Sequence, residues 1–186
     1  MKIAITGTHG SGKTTLIGDF LEHFPDYLHE QEPYWALAQQ GVAFADGPTI
    51  PDLEQQLEQS VMMVLAHGDD PKVIFDRSPV DFLAYLDVIS DSEGLPWAPA
   101  EKLFDRLEAA IRSLDLLVFL PLSRPDEITD LIEYPRLRLK VDRRLKEILR
   151  DDALELLSDR GPRLLELSGI RPRRLAQLAG AGKDMG

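Results

Sequence analysis

Short apolar runs alternate with amphipathic stretches along the chain. The runs are rich in Ile, Val, Leu and Phe, as expected of strands buried on both faces of a sheet. The stretches between them repeat apolar residues at helical spacing, as expected of helices with one buried face. Strands are predicted at residues 2–6, 27–32, 73–75, 116–120 and 164–167, and helices at residues 13–24, 34–40, 52–66, 79–89, 100–113, 137–158 and 173–179.

This alternation predicts an α/β fold. Five strands would form a mainly parallel sheet, with right-handed crossovers that place helices on both faces. The chain has 186 residues, which is enough to bury one core. Because no internal repeat or linker divides the sequence, we expect residues 1–186 to form a single domain.

The composition narrows the classes of partner. The chain carries 32 Asp and Glu against 21 Lys and Arg, for a net charge of −11, which argues against a nucleic acid partner. It has no cysteine, so disulfides and thiolate metal sites are excluded, as suits a reducing cytosol. We expect no signal peptide and no membrane span, and therefore a cytoplasmic protein. A small anionic ligand is compatible with the charge, and so is a homodimer.

The first predicted strand runs directly into a glycine-rich loop, residues 7–14, which reads GTHGSGKT. In the pattern GxxxxGKT, backbone N–H groups turn toward one anion, and the following helix adds its positive end. A chance glycine-rich turn is the alternative, but the strand before it and the helix after it favour a phosphate site. Lys13 should reach the β- and γ-phosphates of ATP, and Thr14 should bind Mg²⁺. The predicted nucleotide contacts come from Thr8, His9, Gly10, Ser11, Gly12, Lys13, Thr14 and Thr15.

Two acidic residues follow the next strands of the predicted sheet. Ligands of parallel sheets bind at the carboxyl ends of the strands, where Glu32 and Asp76 are expected. Asp76 could hold Mg²⁺ near Thr14, and Glu32 could take a proton from a hydroxyl that attacks the γ-phosphate. The glycine-rich loop favours the magnesium role for Asp76, whereas on spacing alone an ordinary carboxylate at a strand end is the better explanation of Glu32.

A basic segment follows the fourth strand, and we assign a lid to about residues 124–145. Residues 133–150 hold seven Lys and Arg against three acids. Arginines on a lid stabilise the charge that develops on a transferred phosphate. Arg136 and Arg138 are the candidates, with Arg143 or Arg144 as alternatives, whereas a solvated helix face is a sufficient explanation for the later cations.

These motifs together resemble a known group of enzymes. The glycine-rich loop, the sequence EPYW at residues 32–35, and DRSP at residues 76–79 followed by Tyr85 resemble deoxynucleoside kinases and herpesviral thymidine kinases. Asp81 and the pair Ala84-Tyr85 extend the likeness to the bacterial AAA-type ATPase family that includes the nicotinamide riboside kinase domain.

The resemblance implies a three-layer P-loop NTPase fold and assigns roles to several residues. Glu32 would be the base, Arg77 would position Glu32 and the acceptor hydroxyl, and Asp76 would belong to the magnesium site. The loop at residues 169–172 would lie near the adenine, which makes Arg171 a cofactor contact. Candidates for binding the acceptor ring are Tyr34, Trp35, Gln59, Met62, Met63 and Tyr85.

The sequence therefore predicts an ATP- and Mg²⁺-dependent kinase with a small-molecule acceptor. A nucleoside or a nicotinamide riboside-like molecule is the first choice, and a nucleotide or another small metabolite is the alternative. A nucleotide-dependent switch or ATPase module acting on a protein would share the loop but would need no acceptor pocket. A nucleic-acid end kinase is disfavoured by the charge.

Overall fold

The structure is a computed structural model that describes residues 1–122, 133–157 and 161–183. Part of the lid predicted at about 124–145 lies outside these residues. The strands are β1 (Lys2–Thr6), β2 (Leu28–Glu30), β3 (Val73–Asp76), β4 (Leu116–Phe119) and β5 (Arg163–Glu166). The helices are α1 (Lys13–His23), α2 (Pro33–Gln39), α3 (Ile50–Ala66), α4 (Pro79–Glu93), α5 (Glu101–Arg112), α6 (Pro135–Arg150) and α7 (Arg171–Lys183).

Within the described residues, the five strands form one parallel sheet in the order β2-β3-β1-β4-β5. Residues alternate between its faces, so Ile3 and Ile5 of β1 join one hydrophobic cluster and Ala4 joins the other. The first cluster includes residues of α1 and α7, and the second includes residues of α3, α4, α5 and α6. The predicted α/β fold with helices on both faces is confirmed.

Boundaries differ from prediction around the second strand and at the ends of several helices. We expected a strand over residues 27–32, but β2 ends at Glu30, and Glu32 is instead the residue that caps α2. Pro33 occupies the first turn of α2, where its missing N–H costs nothing. The proline therefore starts the helix one residue after Glu32. The helix predicted at 137–158 ends at Arg150 among the described residues.

The sheet order places three site-bearing strand ends side by side. Ile5 of β1 pairs with Asp76 of β3, and Glu30 of β2 pairs with Phe75 of β3. The glycine-rich loop, Asp76 and the residues after β2 therefore share one edge of the sheet, as predicted. None of the helices in the described part of the chain is both long and apolar enough to cross a membrane.

His67, which caps the end of α3, lies between the carboxylates of Glu30 in β2 and Asp70 in the following turn. Its Nε2 lies 2.7 Å from Glu30 Oε1, and its Nδ1 lies 2.6 Å from Asp70 Oδ2. Both ring nitrogens can donate only when the imidazole is protonated. Partial burial lowers the pKa of His67, but the hydrogen bonds to Asp70 and Glu30 outweigh it, so that the pKa is raised above 6.5.

This arrangement predicts a pH-dependent term in stability. Because the folded-state pKa of His67 is raised, its contribution is complete below the unfolded-state pKa and is lost as the pH rises through the folded-state pKa. The difference in free energy of unfolding between wild type and His67→Gln should therefore shrink as the pH rises. Denaturant unfolding at about pH 6 to 9 measures it, and a difference that stays constant or grows with pH would contradict the assignment.

Candidate active site

The glycine-rich loop links the end of β1 to the start of α1. Gly10 and Gly12 have φ angles of 65° and 91°, in a region that residues other than glycine rarely adopt. Gly12 is also the N-cap of α1. A Cβ at Gly7 would lie 2.5 Å from Ser11 Oγ and 2.8 Å from the Leu120 carbonyl oxygen. The first turn of α1 carries no acidic residue, so its N-terminal end is open to an anion.

Lys13 lies folded back over the loop. Its Nζ donates to the carbonyl oxygens of Gly7 at 2.9 Å and Thr8 at 3.1 Å, and only 6% of the residue is exposed. Burial first, and then the charge of Arg77, lowers the pKa of Lys13 to about 8. Because its described hydrogen-bond acceptors are neutral carbonyl groups, a phosphate would add a negative charge in contact with this buried ammonium group.

Thr14 and Asp76 meet between α1 and β3. The Thr14 hydroxyl donates to Asp76 Oδ2 at 2.7 Å. The other carboxylate oxygen, Oδ1, is buried and has no hydrogen-bond partner among the described residues. A hydroxyl next to a carboxylate oxygen in need of a partner fits Mg²⁺, which takes oxygen ligands and keeps much of its water. Thr14 and Asp76 would hold the ion, directly or through water, beside the β- and γ-phosphates.

Replacing Asp76 with asparagine should weaken the binding of Mg²⁺ at this position. The amide keeps the size of the side chain but removes its charge, so the Mg²⁺ concentration for half-maximal rate should rise about 10- to 100-fold. The measurement is the rate as a function of Mg²⁺ at constant ATP. Binding of a fluorescent nucleotide without metal provides the control, because it should persist. An unchanged Mg²⁺ dependence would exclude Asp76 from the site.

Glu32 and Arg77 form an ion pair next to the loop. Arg77 Nε donates to Glu32 Oε1, and Arg77 Nη1 donates to the Gly7 carbonyl oxygen at 3.3 Å. Burial raises the pKa of Glu32, but the charges of Arg77 and Lys13 outweigh it and lower that pKa. Glu32 is therefore an ionised hydrogen-bond acceptor at neutral pH.

Arg77 owes its position to an uncommon backbone conformation. Its φ angle is 81°, in the left-handed region, while its backbone N–H donates to the carbonyl oxygen of Ile5 at 3.1 Å. The guanidinium carbon lies 5.7 Å from the centroid of the Tyr85 ring, a cation–π contact. The Tyr85 hydroxyl in turn accepts from the His9 backbone N–H at 3.0 Å and shares a hydrogen bond with the Thr8 hydroxyl at 3.3 Å.

Of the two proposed lid arginines, the structure brings Arg138 to the loop. Arg138 Nε donates to the His9 carbonyl oxygen at 2.7 Å and Nη2 to that of Gly10 at 3.0 Å. Arg138 is 4% exposed, whereas Arg136 lies exposed on the same helix, α6. The alternative Arg144 forms an ion pair with Asp87 of α4.

The last helix approaches the loop through a residue that the sequence reasoning missed. Arg171, expected near the adenine, forms an ion pair with Asp19 of α1, so its contact with a nucleotide stays a prediction. Arg174, one turn later, is buried, and its Nη1 donates to the Ser11 carbonyl oxygen at 3.4 Å. The sequence could have indicated Arg174, because it lies three residues after Arg171 on the same helix and therefore near it in space.

A cavity of about 530 Å³ opens in front of Glu32 and Arg77. Aromatic side chains form much of its wall, and the rings of Tyr34 and Phe44 stack with centroids 4.6 Å apart. Gln56 lines the cavity, whereas the predicted Gln59 is buried elsewhere and Met62 is largely exposed. The further lining residues are His9, Trp35, Ala45, Asp46, Gly47, Pro48, Asp52, Leu53, Phe82, Tyr85, Glu133, Tyr134, Leu137 and Arg138.

Known proteins share this fold. A sequence family described as an AAA domain matches residues 2–163. Deoxyadenosine kinase from M. mycoides with bound dATP is 13% identical, with a TM-score of 0.67 over 98% of this chain and 100% of that one. Thymidylate kinase from Candida albicans is 15% identical, with a TM-score of 0.63 over 99% of this chain and 91% of that one.

A protein crystallised with a nicotinamide nucleotide is also among the similar structures. The NadR protein, solved in complex with NAD and AMP-PNP, is 16% identical, with a TM-score of 0.61 over 96% of this chain and 48% of that chain. No curated protein matches the sequence significantly. At these identities the structural likeness establishes the α/β P-loop fold.

Proposed function

The chain belongs to the AAA domain family that matches residues 2–163, and from this premise we propose that it transfers the γ-phosphate of ATP to a hydroxyl of a small nucleoside-like acceptor. Membership confirms the resemblance to the P-loop kinase group that the sequence motifs indicated. The observation that carries the proposal is the Arg77 guanidinium, which contacts both the Glu32 carboxylate and the Gly7 carbonyl. A candidate base therefore lies beside the phosphate loop and faces a cavity.

The chemistry assigned to the site is an in-line transfer. The acceptor hydroxyl donates its proton to Glu32 as its oxygen bonds to the γ-phosphorus, and the bond to the β-phosphate oxygen breaks to release ADP. Lys13 would neutralise charge on the phosphate from the loop side, while Arg138 holds the loop through the His9 and Gly10 carbonyl oxygens. Mg²⁺, held by Thr14 and Asp76, would supply further neutralisation across the β- and γ-phosphates.

The lining of the cavity favours an acceptor without a phosphate of its own. Its described lining residues include the acids Glu32, Asp46, Asp52 and Glu133. Its described arginines are already engaged, Arg77 by Glu32 and Arg138 by the loop carbonyls. A phosphate usually requires a planar arginine fork that is available to it. A neutral or cationic ring between aromatic walls suits these residues better.

A nucleotide kinase and a nucleotide-dependent switch are the alternatives. Thymidylate kinase is among the similar structures, which supports the first alternative. A switch needs no acceptor cavity, whereas here Glu32 and Arg77 line one beside the loop. The cytoplasmic location, the homodimer and the single-domain organisation stay predictions from the sequence.

The deciding experiment is an acceptor panel with ATP and Mg²⁺. Nucleosides, nicotinamide riboside and nucleoside monophosphates are each added, and ADP release above the acceptor-free rate is measured together with the phosphorylated product. We expect stimulation by at least one phosphate-free acceptor and little by the monophosphates. Stimulation by monophosphates alone would favour the nucleotide kinase, and turnover that no acceptor stimulates would favour the switch.

A further inference from the structure

Asp81 is a buried carboxylate at the start of α4, directly behind the proposed reaction centre. It occupies the third position of the helix and forms a capping box with Ser78. The Ser78 backbone N–H donates to Asp81 Oδ2 at 2.9 Å, and the Ser78 hydroxyl donates to the same oxygen at 3.2 Å. Helix capping accounts for Oδ2 and leaves the other oxygen unexplained.

The second oxygen, Oδ1, faces two elements outside the helix. It accepts from the Gly7 backbone N–H at 2.9 Å and lies 3.5 Å from Arg77 Nη1. Gly7 is the first residue of the phosphate loop, and Arg77 is the partner of Glu32. One carboxylate group therefore touches both the part of the site that holds ATP and the part that holds the base.

The surroundings hold Asp81 firmly in place. The residue is 0% exposed, and the hydroxyl groups of its capping partner Ser78 and of Thr6 at the end of β1 share a hydrogen bond of 2.5 Å. Burial raises the pKa of Asp81 above its usual value, and the charges of Arg77 and Lys13 offset this only in part. Since the described contacts of both carboxylate oxygens are donors, the geometry is that of an ionised acceptor.

We propose that Asp81 is a positioning residue for phosphate transfer, whose carboxylate fixes the Arg77–Glu32 pair against the first residue of the phosphate loop. The inference rests on the proposed phosphotransferase function. Asp81 is not among the residues that line the cavity, and so acts through Gly7 and Arg77. If Asp81 loses its charge, Arg77 keeps only one close carboxylate partner among the described residues, namely Glu32. The distance between Glu32 and the phosphate loop is then no longer fixed.

A double-mutant cycle between Asp81→Asn and Glu32→Gln tests the proposal. Asparagine has one acceptor oxygen, so either Gly7 or Ser78 loses its acceptor. We expect Asp81→Asn to lower kcat about 10- to 100-fold when Glu32 is present, because general-base catalysis is impaired. In the Glu32→Gln background the same change should lower kcat less than about threefold, since the base that Asp81 positions is gone.

A purely structural role would produce a different result. Loss of helix capping would lower kcat by the same factor in both backgrounds, and that result would overturn the proposal. So would an unchanged kcat for Asp81→Asn in the wild-type background. Binding of a fluorescent nucleotide verifies that each variant is folded.

Asp81→Glu separates position from charge if Asp81→Asn fails to fold. Glutamate is favoured at this place in a capping box, so α4 should stay stable, while the longer side chain changes the position of the carboxylate relative to Gly7 and Arg77. We expect folded protein with a reduced kcat, whereas a wild-type kcat would overturn the proposal. If the wild type transfers phosphate to no acceptor, the proposed function fails as well, whereas transfer with equal factors in the cycle contradicts the role of Asp81 alone.

Discussion

Replacing Glu32 with glutamine should lower kcat for phosphate transfer about 10²- to 10⁴-fold, the range that general-base catalysis supplies. Glutamine keeps an oxygen for the Arg77 hydrogen bond but cannot accept the hydroxyl proton. The pKa of Glu32 is lowered by Arg77 and Lys13, against the effect of burial, so the wild-type base is ready at neutral pH. The measurement is product formation with saturating ATP and the best acceptor from the panel.

Glu30→Gln is a matched control for this prediction. Glu30 lies two residues earlier and pairs with His67 rather than Arg77, so its loss should leave kcat close to wild type. Affinity for ATP should change little in Glu32→Gln, because the Lys13, Thr14 and Asp76 contacts remain. Retention of full ATP turnover by Glu32→Gln would contradict a kinase and support the nucleotide-dependent switch.

Replacing Lys13 with methionine should reduce kcat/KM about 10²- to 10³-fold, as expected for the loss of one preorganised charge at a developing anion. Methionine occupies a similar volume but carries no charge to the β- and γ-phosphates. The loop should survive, because Arg138 still holds the His9 and Gly10 carbonyls. Steady-state kinetics over a range of ATP concentrations measures the effect, and Lys72→Met, at an exposed lysine paired with Asp26, is the control.

The pH dependence of nucleotide binding provides an independent check on Lys13. Burial and Arg77 lower its pKa to about 8 in the free protein, and a bound triphosphate should raise it again. Binding at pH above 8 should then take up a proton, so the affinity of the wild type should fall as the pH rises through that region. Lys13→Met should lack this dependence. An identical pH dependence in both proteins would assign it to another group.

Much of the fold could be predicted because burial and periodicity coincide. β1, β3 and β4 have apolar centres buried in the sheet, and α5 carries its buried residues on one side, so the apolar runs and the helical period are both clear in the sequence. β2 is the exception. It is three residues long, partly exposed and polar, and its hydrogen bonds to β3 rather than its own composition define it. Its end could not be located from the pattern alone.

The site could be predicted where a residue follows directly from a strand. The glycine-rich loop follows β1 and Asp76 ends β3, so sheet geometry alone brings Thr14 and Asp76 together. Contacts made by irregular segments could not be predicted, since they have no periodicity. The cavity wall at residues 44–48 is one example. The rotation of α3 about its axis is another example. It places Gln56 rather than Gln59 at the cavity, although both residues lie on this helix.

The backbone of Arg77 carries a conformational strain that its side-chain contacts offset. A left-handed backbone costs an ordinary residue about 1–2 kcal/mol, and glycine would adopt the same φ angle with little penalty. Glycine, however, has no guanidinium group to join Glu32, Gly7 and Asp81. Arg77→Gly would relieve this strain but leave the buried Asp81 carboxylate and Glu32 without their guanidinium partner. Loss of one partner of a buried ion pair costs about 3–5 kcal/mol, which exceeds the strain relieved, so selection for stability alone should also retain Arg77.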